Sequence, residues 1–460
     1  TGSRGPRHHQ TAEDWSTHRE ILDEYLPPFE DLPGIDRYGM KTPWSDDAVY
    51  AESLKRINAR QSRGDVPLNL GATSLMMHAF AYTGDEKYRT WVVDYLDAWK
   101  ERTARNGGIT PDNIGLTGEI GEYNDGKWWG GYYGWRWPHG AFSLLEPLCV
   151  AGINAATLTG DMRHLDLPRS QLDMLWGLRK EENGSQMVPN RHYDEGWRDY
   201  RRMHPMYGVY LWNVSMAEED AVRAERGWAG DLFDEVNPAY HGYGKTTGGH
   251  MGFNGNTAQW FKFMRGKYPD YPERLLEANL TTIAEQIANY RTTENDPLTM
   301  DHYRESMTIH MWQQLTPMII EGLTQLTLGG PMHVYHGGLQ LARFRYFDAD
   351  QQRPGLPQGV AALVDRLADD GASLTLVNTD ALEAHEVIIQ AGVFGEHHFT
   401  GGSLDGENFE ASGRWLTVHL APGATAKLEL GMQRFANPPS YDTPWVKAAD
   451  GPAPLLGRQA

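Results

Sequence analysis

Cysteine is nearly absent from this chain: Cys149 is the only one in 460 residues. That excludes an intrachain disulfide framework and any multi-cysteine zinc or iron–sulfur site. The lone thiol lies in the apolar run Leu144–Ala156 and is expected as a buried small hydrophobe. Positive charge is also scarce, with 42 Lys and Arg against 61 Asp and Glu, a net charge of −19. Nucleic acid and anionic membranes both require a cationic footprint, so neither is expected as a partner. A local cationic pocket for an anionic substrate remains compatible with that total. No run of about 18 apolar residues is present, so no segment is expected to span a bilayer. The signatures GxSxG, HExxH and the dinucleotide fingerprint are missing, which removes support from serine esterase, zincin and Rossmann chemistry. The chain opens Thr1-Gly2-Ser3 without Met. A processed, trimmed or tagged N-terminus is therefore expected, and the compartment stays open between cytoplasmic and secreted or periplasmic.

What is present is enough chain for one large and one small domain. Leu68–Tyr82 and Tyr88–Ala104 carry apolar residues at three- and four-residue spacing, joined by Thr83-Gly84-Asp85. The device recurs 76 residues later, where Phe142–Leu158 runs into Thr159-Gly160-Asp161 before Arg163–Leu178. Gly stops one helix and Asp caps the next. Further helices are expected over Asn256–Met264, Tyr271–Tyr290 and Glu305–Leu328. Antiparallel helix pairs in series are the repeating unit of an α/α toroid, and a non-repetitive bundle fits as well. After about Pro331 the pattern alternates in short runs: Ala372–Asn378, Glu383–Ala391, Trp415–Ala421 and Ala424–Leu430. The expected fold class is a multidomain α+β chain. A toroid-like helical domain occupies 1–335, a small antiparallel β-sandwich 336–435, and an extended tail 436–460.

Ten of the 18 histidines fall between residues 139 and 336, and four loop segments there concentrate functional side chains. The first, Glu122–His139, sets Trp128, Trp129, Trp135 and Trp137 among glycines beside Arg136 and His139. Flat rings with polar edges suit sugars, so Trp128, Trp129, Trp135 and His139 are candidate groove residues. The alternative is that these rings plug the space between helices. The second segment holds His192, with Arg191, Arg198, Arg201 and Arg202, followed by His204 and Tyr207. The third is the densest, with Tyr240, His241, Tyr243, Lys245, His250 and Asn254 among glycines before a helix. Glycine permits close backbone approach, and a helix N-terminus favours a carboxylate. The fourth places His302, Tyr303 and Arg304 at a loop-to-helix junction, where Arg304 could clamp a carboxylate. His333 and His336 have ligand-like spacing, but no nearby carboxylate completes a metal set. No metal or cofactor is expected.

Tyr and His as acid and base, with Asn, His or Arg against a carboxylate, fit proton abstraction α to a carboxyl group. β-Elimination from a uronic acid needs those parts, because the C5 proton is acidic only once the C6 carboxylate is countered. An inverting glycosidase would instead need two carboxylates roughly 6.5–9.5 Å apart, and Glu119, Glu122, Asp125, Asp194 and Glu195 are candidates. A non-catalytic glycan-binding protein is a third reading.

The TGD-linked helix pairs, the Trp- and Gly-rich loop ending at His139 and the Tyr240–Asn256 loop together resemble polysaccharide lyases built as an α/α toroid followed by a β-sandwich. Related oligosaccharide dehydratases are similar in principle. The resemblance implies an enzyme that eliminates across C4–C5 of an anionic glycan or oligosaccharide. Such enzymes typically use Tyr and His for proton transfer; by clustering and chemistry, Tyr243 or Tyr240 is the expected base or acid here, with His250 and His192 as partners. Asn254, His204 and Arg304 would face the carboxylate, while Tyr207, Lys245 and His302 join Trp128, Trp129, Trp135 and His139 in binding.

Overall fold

The computed structural model describes residues 27–33, 35–36, 43–60, 64–226, 257–291, 320–332, 334, 337–445 and 455–456. Helices come first and antiparallel sheets follow. In chain order the helices are α1 (Asp47–Arg60), α2 (Thr73–Thr83), α3 (Glu86–Arg105), α4 (Ala141–Thr159), α5 (Asp166–Gly177), α6 (Met206–Ser215), α7 (Glu218–Arg226), α8 (Thr257–Met264), α9 (Tyr271–Tyr290) and α10 (Glu321–Leu328). The expected Leu68–Tyr82 helix is split, because Pro67–Ala72 forms a tight 3-10 turn before α2. Of the expected Glu305–Leu328 helix, the part described is α10.

Both TGD junctions work by the same local chemistry. Gly84 (φ +66°) and Gly160 (φ +73°) close α2 and α4 in the left-handed conformation that other residues resist. Asp85 then accepts from the Lys87 N–H at 3.0 Å and Asp161 from the Arg163 N–H at 2.9 Å, capping the next helical segment. α2 packs on α3, and α4 touches α2, α3, α5 and α6. α4 is accordingly apolar all round, and every residue from Ala141 to Leu158 is buried. By length and composition α4 is apolar enough to cross a bilayer, although Glu146 and Asn154 interrupt its apolar residues; here Ala141–Leu158 is enclosed by protein. Its leucines, such as Leu144 and Leu148 at 0% exposure, contribute about 1.5–3 kcal/mol each. Asn154 is satisfied inside this core by donating to Thr73 Oγ1 (3.0 Å) and Ser74 Oγ (2.9 Å) on α2.

Between α5 and α6 the chain forms two short hairpins where only loop is expected from the sequence. β1 (Lys180–Glu182) pairs with β2 (Ser185–Met187), and β3 (Arg191–Tyr193) with β4 (Gly196–Arg198). The second hairpin carries His192 into the candidate site.

The strand region runs from β5 (Phe344–Asp348) through β6 (Arg353–Pro354), β7 (Val360–Ala368), β8 (Gly371–Asn378), β9 (His385–Ala391), β10 (His398–Leu404), β11 (Glu407–Phe409), β12 (Trp415–Leu420) and β13 (Thr425–Gln433). A last short strand, β14 (Leu455–Leu456), adds to β12 in parallel. Two five-stranded sheets result, ordered β11-β10-β13-β8-β7 and β14-β12-β9-β5-β6. Val364, Leu374, Leu376 and Leu428 of one share a core with Phe344, Val387, Ile389 and Val418 of the other. Arg434 fastens this sandwich to the helices by donating to the Val214 (2.7 Å) and Ser215 (3.0 Å) carbonyls at the end of α6. The segment after β13 lies over α2, where the Tyr441 N–H donates to the Ala81 carbonyl at 3.1 Å and its hydroxyl bonds His78 Nδ1.

Candidate functional site

The Trp- and Gly-rich loop is organised around one buried carboxylate. Asp112, at 0% exposure, accepts from the N–H groups of Gly130 (3.0 Å), Gly131 (2.7 Å) and Trp135 (2.8 Å), and from Asn113 Nδ2 (3.0 Å). Burial nevertheless pushes its pKa up to about 6, against the lowering effect of those donors. Two of the loop's glycines follow from this clamp. A Cβ on Gly131 would stand 2.2 Å from the Asp112 carbonyl oxygen, and one on Gly134 would stand 2.1 Å from Asp112 Oδ2. Here glycine makes room for a protein carboxylate rather than for a ligand.

The clamp divides the tryptophans. Trp135 is fully enclosed, with its Nε1 donating to the Thr110 carbonyl at 2.6 Å. This corrects its assignment as a groove residue: it plugs the core. Trp137 is likewise buried, stacked on Trp44. Trp128 and Trp129 remain half-buried and close on His192, their ring centroids both 4.6 Å from the imidazole. Trp197 of β4 supplies a third wall at 4.9 Å. His192 is 9% exposed, and its Nδ1 finds no hydrogen-bond partner among the described residues. Burial drives its pKa down to about 4, with Asp194 opposing, so the caged ring is neutral at neutral pH.

A second group sits where two helices begin. His139 stands two residues before α4 and His204 two residues before α6. A chain of ring contacts joins them: His139 to Phe142 (6.0 Å), Phe142 to Tyr207 (6.3 Å) and Tyr207 to His204 (6.4 Å). His204 Nδ1 accepts from the Met206 N–H at 3.3 Å, which fixes the ring at the helix start. Burial pushes the His204 pKa down to about 4 as well. Tyr207 is 2% exposed, so it lies beneath the site rather than along an open groove. Its hydroxyl has no hydrogen-bond partner among the described residues. Burial, then the neighbouring Glu146 carboxylate, push its pKa well above the usual phenol value. Glu146 was not singled out from the sequence, yet it is wholly buried. The available signal was that it is the one charged residue within the apolar stretch of α4.

Two arginines of the second segment, Arg191 and Arg202, do structural work. Arg191 donates to the Arg136 (2.9 Å) and Pro138 (2.8 Å) carbonyls and pairs with Asp199 at 2.8 Å. Arg202 donates to Ser185 Oγ at 2.6 Å. Two of the candidate glycosidase carboxylates are already engaged. Glu122 accepts from the Thr117 N–H (3.0 Å) and hydroxyl (2.7 Å), and Asp194 is ion-paired with Lys127 at 2.7 Å. A cavity of about 510 Å³ by Lys100, Arg163 and His164 has its cations answered by Asp97 and Asp161. Tyr240, Tyr243, Lys245, His250, Asn254, His302 and Arg304 lie outside the described residues, as do His333 and His336.

The family model of a domain of unknown function, DUF8034, matches residues 1–189 and 177–324. The chain belongs to the DUF8034 family. Both matches of the DUF8034 model end before β5, so they cover the helical part that holds His139, His192, His204 and Tyr207. No curated protein matches the chain.

Proposed function

We propose that this DUF8034 protein is a carbohydrate-active lyase, performing β-elimination on a uronic-acid-containing polysaccharide or oligosaccharide on a toroid-like helical scaffold. The observation that carries this reading is a buried Tyr207 hydroxyl and a buried His192 Nδ1, both without a hydrogen-bond partner among the described residues and with their pKa values driven apart. A phenol raised in pKa keeps its proton and suits a general acid; the His192 imidazole, lowered to about 4 and with Nδ1 unpartnered among the described residues, stays neutral and suits a general base. The starts of α4 and α6, beside His139 and His204, place the positive ends of two helix dipoles where they favour a substrate carboxylate. With that charge countered, His192 takes the C5 proton and the C5–H electron pair becomes the C4=C5 bond. The C4–O bond breaks, and its oxygen leaves with the proton from Tyr207, as a sugar hydroxyl in chain cleavage or as water in dehydration. Trp128 and Trp129 give the adjoining sugar rings apolar faces to stack on.

The test is an ultraviolet absorbance time course of the purified chain against uronate polysaccharides and their oligosaccharides. A rise from the new conjugated double bond is expected, falling roughly 10²–10⁴-fold in Tyr207→Phe and in His192→Ala. Full activity in Tyr207→Phe sinks the role of that hydroxyl. New reducing ends at flat absorbance would make the enzyme a hydrolase, and binding without either signal would make it a glycan-binding protein.

A further inference from the structure

The β-sandwich carries a second concentration of ligand-type side chains, separate from the helical site. The turn from β8 into β9 supplies Asp380, Glu383 and His385, and one donor atom of each lies within 4.8 Å of the other two. They line a cavity of about 540 Å³ whose wall also holds Asp348 and Asp350, with no Lys or Arg in that wall. Asp348 is answered by Arg353 at 3.2 Å, whereas Asp380 and Glu383 have no ion-pair partner among the described residues. Asp380 is oriented by its own turn: its Oδ1 accepts from the N–H groups of Leu382 (2.8 Å) and Glu383 (3.0 Å). Those donors hold its carboxyl below the usual range, so it is charged.

His385 supplies an independent observation. Its imidazole makes no hydrogen bond among the described residues, and its Nε2 is shut off from solvent. A buried polar atom without a partner costs about 1–3 kcal/mol, and native structures seldom leave one unsatisfied. A nitrogen donor next to two carboxylates also discriminates between ions. Calcium and magnesium take oxygen cages, while imidazole suits zinc and its first-row neighbours.

We propose that Asp380, Glu383 and His385 bind one divalent transition-metal ion, for which zinc is the probe. Metal–donor distances of about 2.0–2.2 Å bring tetrahedral ligands to roughly 3.4 Å from one another. Closing from within 4.8 Å is a movement that the exposed Glu383 side chain supplies. The fourth position then opens to the cavity, for water or an anionic group. Because the three ligands are assembled only in the folded chain, the ion stabilises the β8–β9 junction.

The experiment is calorimetric titration of the chelator-stripped full chain with zinc, together with thermal unfolding. Stoichiometry is read as wild type minus variant, which removes adventitious binding at other histidines such as His8 and His9. His385→Ala and Glu383→Ala are each expected to lose one zinc equivalent and its rise in Tm. Glu383 is exposed, so its variant keeps the metal-free Tm of the wild type. Equimolar calcium or magnesium is expected not to displace the ion. Unchanged zinc stoichiometry and Tm response in both variants, or displacement by calcium, overturns the proposal.

Discussion

Asp112 shows how much of a loop one side chain can hold. Its carboxylate takes three backbone N–H groups of a loop rich in tryptophan, and removing it leaves them buried and unpaired. Asp112→Ala is expected to destabilise the chain by about 3 kcal/mol or more. The expected readout is a lowered denaturant midpoint and loss of near-ultraviolet dichroism from Trp128 and Trp129. Gly134→Ala should act in the same direction, since its methyl meets the same carboxylate. His192 and His204 set a pH dependence of definite sign. Both have folded-state pKa values near 4, against about 6.5 unfolded. Their contribution to stability is present above about pH 6.5 and is lost as pH falls toward 4. Unfolding free energy measured across that interval should drop less steeply in His204→Gln than in the wild type. Cys149, enclosed in α4 with burial pushing its thiol pKa up, should resist thiol reagents until the chain is unfolded.

Elements divide by how local their signals are. The TGD junctions were legible because a left-handed Gly and a capping Asp act within a few residues of themselves. Replacing Gly84 by Ala, or Asp85 by Ala, should each cost about 1 kcal/mol by denaturant unfolding. The sandwich strands β8, β9, β12 and β13 were legible too, since an apolar face every second residue is a strong pattern. The hairpins β1–β2 and β3–β4 were not: their three-residue strands, such as KEE and RHY, are too short to show alternation. They form because neighbouring backbone completes them. The β3 hairpin, for example, receives the Trp135 carbonyl against the His192 N–H at 3.3 Å. The composition of α4 is that of a membrane helix, and its neighbours decide that it is a core helix.

At the scale of the whole molecule, Arg434 is the joint most open to test. It answers two carbonyls at the end of α6 and pairs with Asp369 at 2.7 Å. Arg434→Ala leaves those carbonyls short of donors, at an expected cost of about 1.5–3 kcal/mol. Calorimetry is expected to show the helical and strand parts melting less cooperatively, and a single unchanged transition would contradict that role.

The sequence by itself determined several of the helical stretches, where two helices must stop, and that strands follow helices, because periodicity and capping are written in adjacent residues. It also pointed to His139, His192, His204 and Tyr207 by their crowding in loops. Tertiary structure alone decided which aromatic rings are walls and which are filling. Trp128 and Trp135 are seven residues apart in the same glycine-rich loop, yet only Trp135 is sealed by the Asp112 clamp. Burial also decided that two histidines are neutral and that a tyrosine hydroxyl goes unanswered, since desolvation depends on everything packed around a group and not on its neighbours in the chain.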